Sequence, residues 1–353
     1  MSAPHIALVS DDLTGALDSA VPFAQAGLRT VVATGLGSLD HALRAGADVV
    51  AVSLNSRETD EAAATSRARH AAAALSDVPV LFKKIDSRMK GHVRAEALEL
   101  ATARGLKRMI VCPAIPELGR FVAQGHVSGH GVEAPIPVAL PPDAQIKMDF
   151  PDALTDVDLD RIIASADGAL TVGARGLASA LSRRSGLPAK ASAALAMLSL
   201  PMTLVIGSRD PVTLRQVERL RAEFPDAQWI AAADGELEKP QVFSALVILQ
   251  IVDGGARLDG ATVSARLAKS MASCPLARRG TLLLTGGETA AACLDVMGVG
   301  VLQVLGEIQP GLPVSVPLDF PDGPHIVTKS GGFGELDCLA DLVRVAMDQS
   351  RAA

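Results

Sequence analysis

The amino-acid sequence predicts an α/β protein of two α/β domains with mainly parallel sheets and an interdomain cleft. Three observations lead there. Short apolar runs rich in β-branched residues alternate with helix-periodic segments, the pattern of parallel strands covered on both faces. An Ala-, Ser- and Pro-rich stretch at 185–201 interrupts the alternation, which then starts afresh. The chain has 353 residues, 49% of them hydrophobic, which suits two cores.

In the first series, HIALVS (5–10), RTVVAT (29–34), DVVAVSL (48–54), VPVLFKKI (78–85) and RMIVCPA (108–114) read as strands. Between them LDSAVPFAQAG (17–27), the segment 60–75 and GHVRAEALELATARG (91–105) have helical periodicity. Residues 115–150, rich in Pro, Gly and His, break the rhythm and predict a long loop or a β excursion of the kind that often carries function. Helix LTDVDLDRIIASA (154–166), strand GALTVGA (168–174) and helix LASALSRR (177–184) follow. The second series runs MTLVIGS (202–208), helix PVTLRQVERLRAEF (211–224), AQWIAAA (227–233) and SALVILQIV (244–252). It continues with a helix at 261–273, TLLLTGG (281–287), a helix at 288–297, VLQVLGEI (301–308), HIVTKSGGFG (325–334) and a closing helix at 335–347. The expected domains are 1–200 and 201–353.

A net charge of −6 speaks against a general nucleic-acid or membrane surface, and 3% aromatics without a tyrosine gives no base-stacking platform. An anionic small substrate stays compatible, because a local basic pocket can sit in an acidic protein. Cys112, Cys274, Cys293 and Cys338 lie far apart with no C-x-x-C pair and read as buried thiols. Asp11 and Asp12 precede any long apolar stretch, and no run approaches the roughly 18 apolar residues of a membrane span. A cytoplasmic protein is expected, with a homodimer left open as its assembly.

Ligands of doubly wound sheets bind beyond the carboxyl ends of the strands. The first strand runs into Asp11 and Asp12. One carboxylate suffices to cap the next helix, and two side by side repel unless a cation or substrate hydroxyls engage them. KKIDSRMKGH (83–92) follows a buried-looking strand and carries a dense basic cluster with one carboxylate. Lys83 and Lys84 alternate faces, so only one turns toward Asp86. The stretch reads as an anion pocket in which cations attract a carboxylate or phosphate and Asp86 accepts from a hydroxyl. Arg120 sits in a loop that starts at a strand end. His126 and His130 lack the helical context of a metal pair. In the second half, strand–Gly–helix junctions recur at Ser208, at Gly286 and Gly287, and at Gly331, Gly332 and Gly334 behind Lys329; together they read as a phosphate cradle. No GxxxxGK[ST] or GxGxxG is present, which disfavours an ordinary P-loop or dinucleotide site.

The order SDDLTGALDSAVPFAQAG (10–27), KKIDSRMKGH, CPAIPELGR (112–120), GSRDPVTLRQ (207–216), LLLTGGETA (282–290) and TKSGGFGELD (328–337) resembles the four-carbon acid sugar kinase family, and spans both halves. The resemblance implies an N-terminal sugar-acid domain and a C-terminal nucleotide domain. It also implies ATP with Mg²⁺ and transfer to a hydroxyl of threonate, erythronate or 3-oxo-tetronate. On that pattern Lys84, Arg88 or Arg120 takes the carboxylate, Asp11, Asp12 and Asp86 serve the hydroxyls, and Ser87 is a further substrate-binding residue. Asp12 or Asp86 accepts the proton. Ser208, Gly286, Gly287, Thr289, Lys329, Gly331, Gly332 and Gly334 hold the nucleotide, and no metal ligands are assigned. Where the family pattern continues Thr-x-Arg-Gly-Asn, this chain has Arg88, Met89, Lys90, Gly91 and His92. The alternatives are a family member that binds a sugar acid without turnover and a hydroxy-acid dehydrogenase of similar architecture.

Overall fold

Buried strands and capped helices alternate through the chain, as their residue types dictate. The computed structural model describes residues 3–188, 198–237, 244–272 and 278–352; Cys274 and most of the interrupting stretch at 185–201 lie outside them. The chain forms two compact units, Met1–Ala193 and Ala194–Ala353.

Unit 1 comprises β1 (Ile6–Ser10), α1 (Leu13–Gln25), β2 (Thr30–Ala33), α2 (Leu39–Arg44), β3 (Val49–Ser53), α3 (Glu61–Ala74), β4 (Val80–Lys84), α4 (Val93–Ala103) and β5 (Arg108–Cys112). Next come β6 (Arg120–Ala123), β7 (His126–Gly129), β8 (Ile136–Pro137), β9 (Lys147–Asp149), α5 (Asp156–Ala164), β10 (Leu170–Gly173) and α6 (Arg175–Arg184). The main strands run in the order β2-β3-β1-β4-β10-β5-β9 and are all parallel. Every residue of β1 and β3 is buried, as strands covered on both faces require. Asp60 caps α3 through the Ala63 amide, and Thr155 with Asp158 forms a capping box on α5. Residues 115–150 prove to be a β excursion: β6, β7 and β8 form a small antiparallel sheet, after which β9 joins the edge at β5.

Unit 2 comprises β11 (Met202–Ile206), α7 (Pro211–Glu223), β12 (Gln228–Ala233), β13 (Leu246–Val252), α8 (Gly260–Ala272), β14 (Thr281–Thr285) and α9 (Gly287–Val296). It closes with β15 (Val301–Glu307), β16 (Pro313–Pro317), β17 (His325–Lys329) and α10 (Cys338–Ala352). Its strands run β12-β13-β11-β14-β17-β16-β15; the first five are parallel, and β16 is antiparallel to both neighbours. A core of Leu204, Ile206, Leu220, Leu283, Val327 and Leu339 joins the sheet to α7 and α10. Among the described residues no helix is long and apolar enough to cross a membrane.

Strand order fixes where each helix lies. In unit 1 the step from β1 to β2 runs opposite to those from β3 to β4 and from β4 to β5. With right-handed crossovers, α1 then covers one face while α3 and α4 cover the other. The packing agrees: α1 touches α6, and α3 touches α4. In unit 2, α7 packs on α10 and α8 on α9. Each unit therefore has a fork at the carboxyl ends of its central strands.

Candidate active-site residues in the two units

In unit 1 the fork lies at β1. Ser10 is in register with Ser53 of β3 and with Lys84 of β4, so the residues leaving those three strands emerge together. Asp12 is extended and caps α1: its Oδ1 accepts the Gly15 amide at 2.9 Å and its Oδ2 the Thr14 hydroxyl at 2.7 Å. Asp11 is buried and meets a cation from the loop after β3. Arg57 donates Nε to Asp11 Oδ2 at 2.7 Å and Nη2 to Asp11 Oδ1 at 3.0 Å, a two-pronged pair. The same guanidinium reaches Asp12 through Nη1 at 3.1 Å and stands 3.8 Å from Asp86 Oδ2. Burial alone pushes the Asp11 carboxyl up, but attraction to Arg57, Lys83 and Lys84 outweighs it and holds the group below the usual range. Burial likewise works against the Arg57 charge, and Asp12, Asp11 and Asp86 more than offset it.

The basic stretch is divided among tasks. Lys83 is fully buried and pairs with Glu96 of α4 at 2.5 Å, while Glu96 accepts the Ser56 hydroxyl at 2.5 Å. Lys84, on the alternate face, lies over the first turn of α1: a Cβ on Gly15 would stand 2.7 Å from its Nζ and 2.5 Å from Asp12 Oδ1. Asp86 turns the chain by accepting the Arg88 amide on Oδ1 at 2.8 Å. Its Oδ2 accepts no hydrogen bond among the described residues. Ser87 accepts Arg120 Nη1 at 2.6 Å, and the rest of that guanidinium is held by the His130 carbonyl at 2.8 and 3.1 Å. Burial and then the nearby Arg88 lower the Arg120 pKa, with Asp86 partly opposing. The Arg88 side chain has no hydrogen-bond or ion-pair partner of its own among the described residues, which leaves a cation beside a second, anchored one. Gly91 adopts φ +83°, and a Cβ there would sit 3.1 Å from Asp11 Oδ2. His92 bonds the Thr59 carbonyl at 2.6 Å and so ties the Arg57 loop to the start of α4.

The unit 2 fork collects the glycine turns. β11, β14 and β17 are neighbours, with Ile206, Thr285 and Lys329 ending in register. Thr285 Oγ1 accepts the amides of Gly207 and Ser208 at 3.1 and 3.3 Å, and the Gly286 amide donates to the Lys329 carbonyl at 3.0 Å. A Cβ on Gly331 would stand 2.3 Å from Ser208 Oγ, so that turn closes on Ser208 only because the side chain is missing. Gly286 precedes α9 with no side-chain cap, leaving first-turn amides for an anion. Gly287 begins α9. Thr289 is buried, its hydroxyl 3.1 Å from that of Ser264.

Lys329 faces inward. It is fully buried, and its Nζ donates to Thr213 Oγ1 and to the carbonyls of Ser330 and Gly331 at 3.0–3.2 Å. Burial lowers its pKa to about 8, against the pull of Cys338 and Asp210. Thr213 donates to the Gly331 carbonyl at 2.7 Å, and Gln216 Nε2 donates to the carbonyls of Phe333, Gly334 and Glu335 at 2.8–3.1 Å. These α7 residues, with Lys329, hold the Gly331–Gly332–Gly334 turn in shape. Arg57, Thr213 and Gln216 escape a reading of motifs. Inspecting every residue that follows a strand would have found Arg57, which lies four positions after Ser53. Among the described residues no group of three or more His, Cys, Asp or Glu is placed to hold a metal.

Residues 6–145 match the family of sugar-binding N-terminal domains, and residues 229–339 match that of nucleotide-binding C-terminal domains. The chain is 31% identical to a D-threonate kinase of Cupriavidus necator over 98% of each chain. It is 29% identical to a D-threonate kinase of Bordetella bronchiseptica over 96% of each, and 27% identical to a 3-oxo-tetronate kinase of Pseudomonas fluorescens over 95% of each. Its fold is shared by a solved Salmonella typhimurium structure described as a putative tRNA synthase, with TM-score 0.71 and 20% identity over 96% of this chain and 98% of that one. A Haemophilus influenzae protein is similar at TM-score 0.66 and 19% identity, over 97% of this chain and 99% of that one.

Proposed function

The chain belongs to the four-carbon acid sugar kinase family, and from that premise we propose that it transfers a phosphoryl group from ATP to a hydroxyl of a four-carbon sugar acid of the threonate, erythronate or 3-oxo-tetronate type. The observation that carries the reading is the Asp11–Asp12–Arg57–Lys84–Asp86 cluster at the β1 fork, inside the segment that matches sugar-binding domains.

The roles follow from what each side chain has left to offer. Arg88, without a hydrogen-bond or ion-pair partner among the described residues and beside the anchored Arg120, takes the acid's carboxylate. Lys84 and Asp12 take hydroxyls. Asp11 has both oxygens on Arg57, and Asp12 has one on the Gly15 amide and the other on Thr14 and Arg57. Asp86 keeps an oxygen with spare capacity and is the proton acceptor. In unit 2 the turns at Ser208, Gly286–Gly287 and Gly331–Gly332–Gly334 fit a polyphosphate, since they gather at neighbouring strand ends and Gly286 leads into α9 without a side-chain cap. ATP would bring the phosphoryl group, and Mg²⁺ bound with it would supply charge that offsets the phosphates. Lys329 serves by holding the third turn.

The test is ADP release by the purified protein with ATP and Mg²⁺ across threonate, erythronate and 3-oxo-tetronate stereoisomers. Release should depend on one of these acids. Binding of an acid without ADP would make the protein a sensor, and nicotinamide binding seen by fluorescence would make it a dehydrogenase.

Gly15→Ala supplies a local test. Alanine favours helix by about 1 kcal/mol, so α1 should stay intact. The methyl, however, would displace Lys84 Nζ or Asp12 Oδ1. Steady-state kinetics should show kcat/KM lowered about ten- to a hundredfold at unchanged melting temperature. Wild-type kinetics would remove both groups from the acceptor site.

A further inference from the structure

Three carboxylates converge at the β1 fork, and a cation that the proposed chemistry does not consume stands among them. We propose that Arg57 is a positioning residue that holds Asp11, Asp12 and Asp86 together as one cluster and offsets their mutual repulsion, so that the proton acceptor among them is available at neutral pH. This rests on the kinase reading given above.

Arg57 spreads one guanidinium over residues from two strand ends: two bonds to Asp11, contacts to both oxygens of Asp12 at 3.0 and 3.1 Å, and Asp86 at 3.8 Å. Without it, three like charges share a small, partly desolvated space, and such groups retain a proton between them. The other charges facing the cluster help but make none of these bonds. Lys83 and Lys84 also lower the Asp11 carboxyl, but Lys83 is paired with Glu96 and Lys84 lies over the first turn of α1, while Arg88 and Arg120 act on the Asp86 side.

The loop that carries Arg57 is itself fixed. The Ser56 amide donates to the Asp11 carbonyl at 2.9 Å, and the Ser56 hydroxyl donates to buried Glu96. The Thr59 amide and hydroxyl return to the Ser56 carbonyl at 3.1 and 2.9 Å, and His92 holds Thr59 from the other side. Gly91 packs against the loop: a Cβ there would stand 3.7 Å from Arg57 Cγ and 3.8 Å from Arg57 Cα. A residue held this firmly suits orientation of a cluster better than capture of a moving substrate.

The test uses Arg57→Lys and Arg57→Met in the full chain, with kcat and KM for the sugar acid measured across pH and with ¹³C NMR of labelled aspartate carboxylates. In Arg57→Met the acid limb of kcat should move up by about one to three pH units, so that activity lost near pH 6 partly returns near pH 8.5. One carboxylate should titrate in the same range. Arg57→Lys, which keeps the charge but not the fork, should move the limb less. A raised KM with kcat and its acid limb unchanged would make Arg57 a substrate ligand and overturn the proposal. So would NMR titrations identical to wild type. If Arg57→Met does not fold, Arg57→Gln, which also removes the charge, gives the same decision through the same two readouts. If the wild type releases no ADP with any tetronate, the kinase reading fails, while the carboxylate titrations still decide the role of Arg57.

Discussion

Asp86→Asn is expected to lower kcat by about 10²–10⁴-fold while nucleotide binding stays at the wild-type level. The substitution is conservative where the fold needs it. Asparagine keeps an oxygen to accept the Arg88 amide, the bond that makes the turn after β4, so Ser87 and Arg88 should hold their places. What disappears is the basic oxygen that accepts no hydrogen bond among the described residues and has only the Arg57 guanidinium 3.8 Å away. ATP affinity, measured by calorimetry, reports on unit 2 and should be unaffected. Asp12→Asn provides the comparison, because asparagine caps helices as well as aspartate does and α1 should not loosen. If Asp12→Asn shows the large loss and Asp86→Asn does not, the proton acceptor is Asp12. Unchanged turnover in both would remove general-base catalysis by either carboxylate.

The contrast between those two residues indicates what a sequence can and cannot convey. The strands were legible because the buried parallel type is nearly continuous in apolar residues, and the forks were legible because polar, Gly-containing segments follow those strands. β16 is not legible in this way: its five residues begin and end in proline, and its antiparallel direction depends on neighbours elsewhere in the chain. Arg57 lies in Asn55–Ser56–Arg57–Glu58–Thr59, which resembles any solvated loop. Only the pairing of Ser10 with Ser53 brings it onto Asp11. Alternation required Lys83 and Lys84 to part, but it could not identify Glu96 as the partner of the one that turns away. Lys329 carries the opposite lesson. A lysine before glycines suggests a hand extended to phosphate, yet burial at the end of β17 directs its amine to Thr213 and two carbonyls. Motif spacing locates a turn; tertiary packing decides which way its side chains face.

Glu96→Ala should produce the largest loss of stability among single changes near the site. Lys83 and Glu96 are fully buried, and their ion pair joins β4 to the first turn of α4 while Glu96 also holds Ser56. Removing one member of a buried pair leaves the other charge without compensation, a cost of roughly 3–5 kcal/mol. In a unit of this size that lowers the melting temperature by on the order of 10 °C, readable by scanning calorimetry. Glu96→Gln should lose less, since an amide oxygen still accepts the Ser56 hydroxyl. The decisive comparison is the double variant Lys83→Met with Glu96→Leu, which fills similar volume without charge and should recover most of the lost stability. Recovery of activity should not follow, because Ser56 loses its acceptor in the double variant and the Arg57 loop with it. Restored melting with depressed turnover would thus separate the two contributions of the pair: its charges balance each other, and its hydrogen bond to Ser56 aims Arg57. A Glu96→Ala protein that melts within a degree or two of wild type would show that Lys83 finds water or another acceptor, and the pair would then have no part in holding the loop.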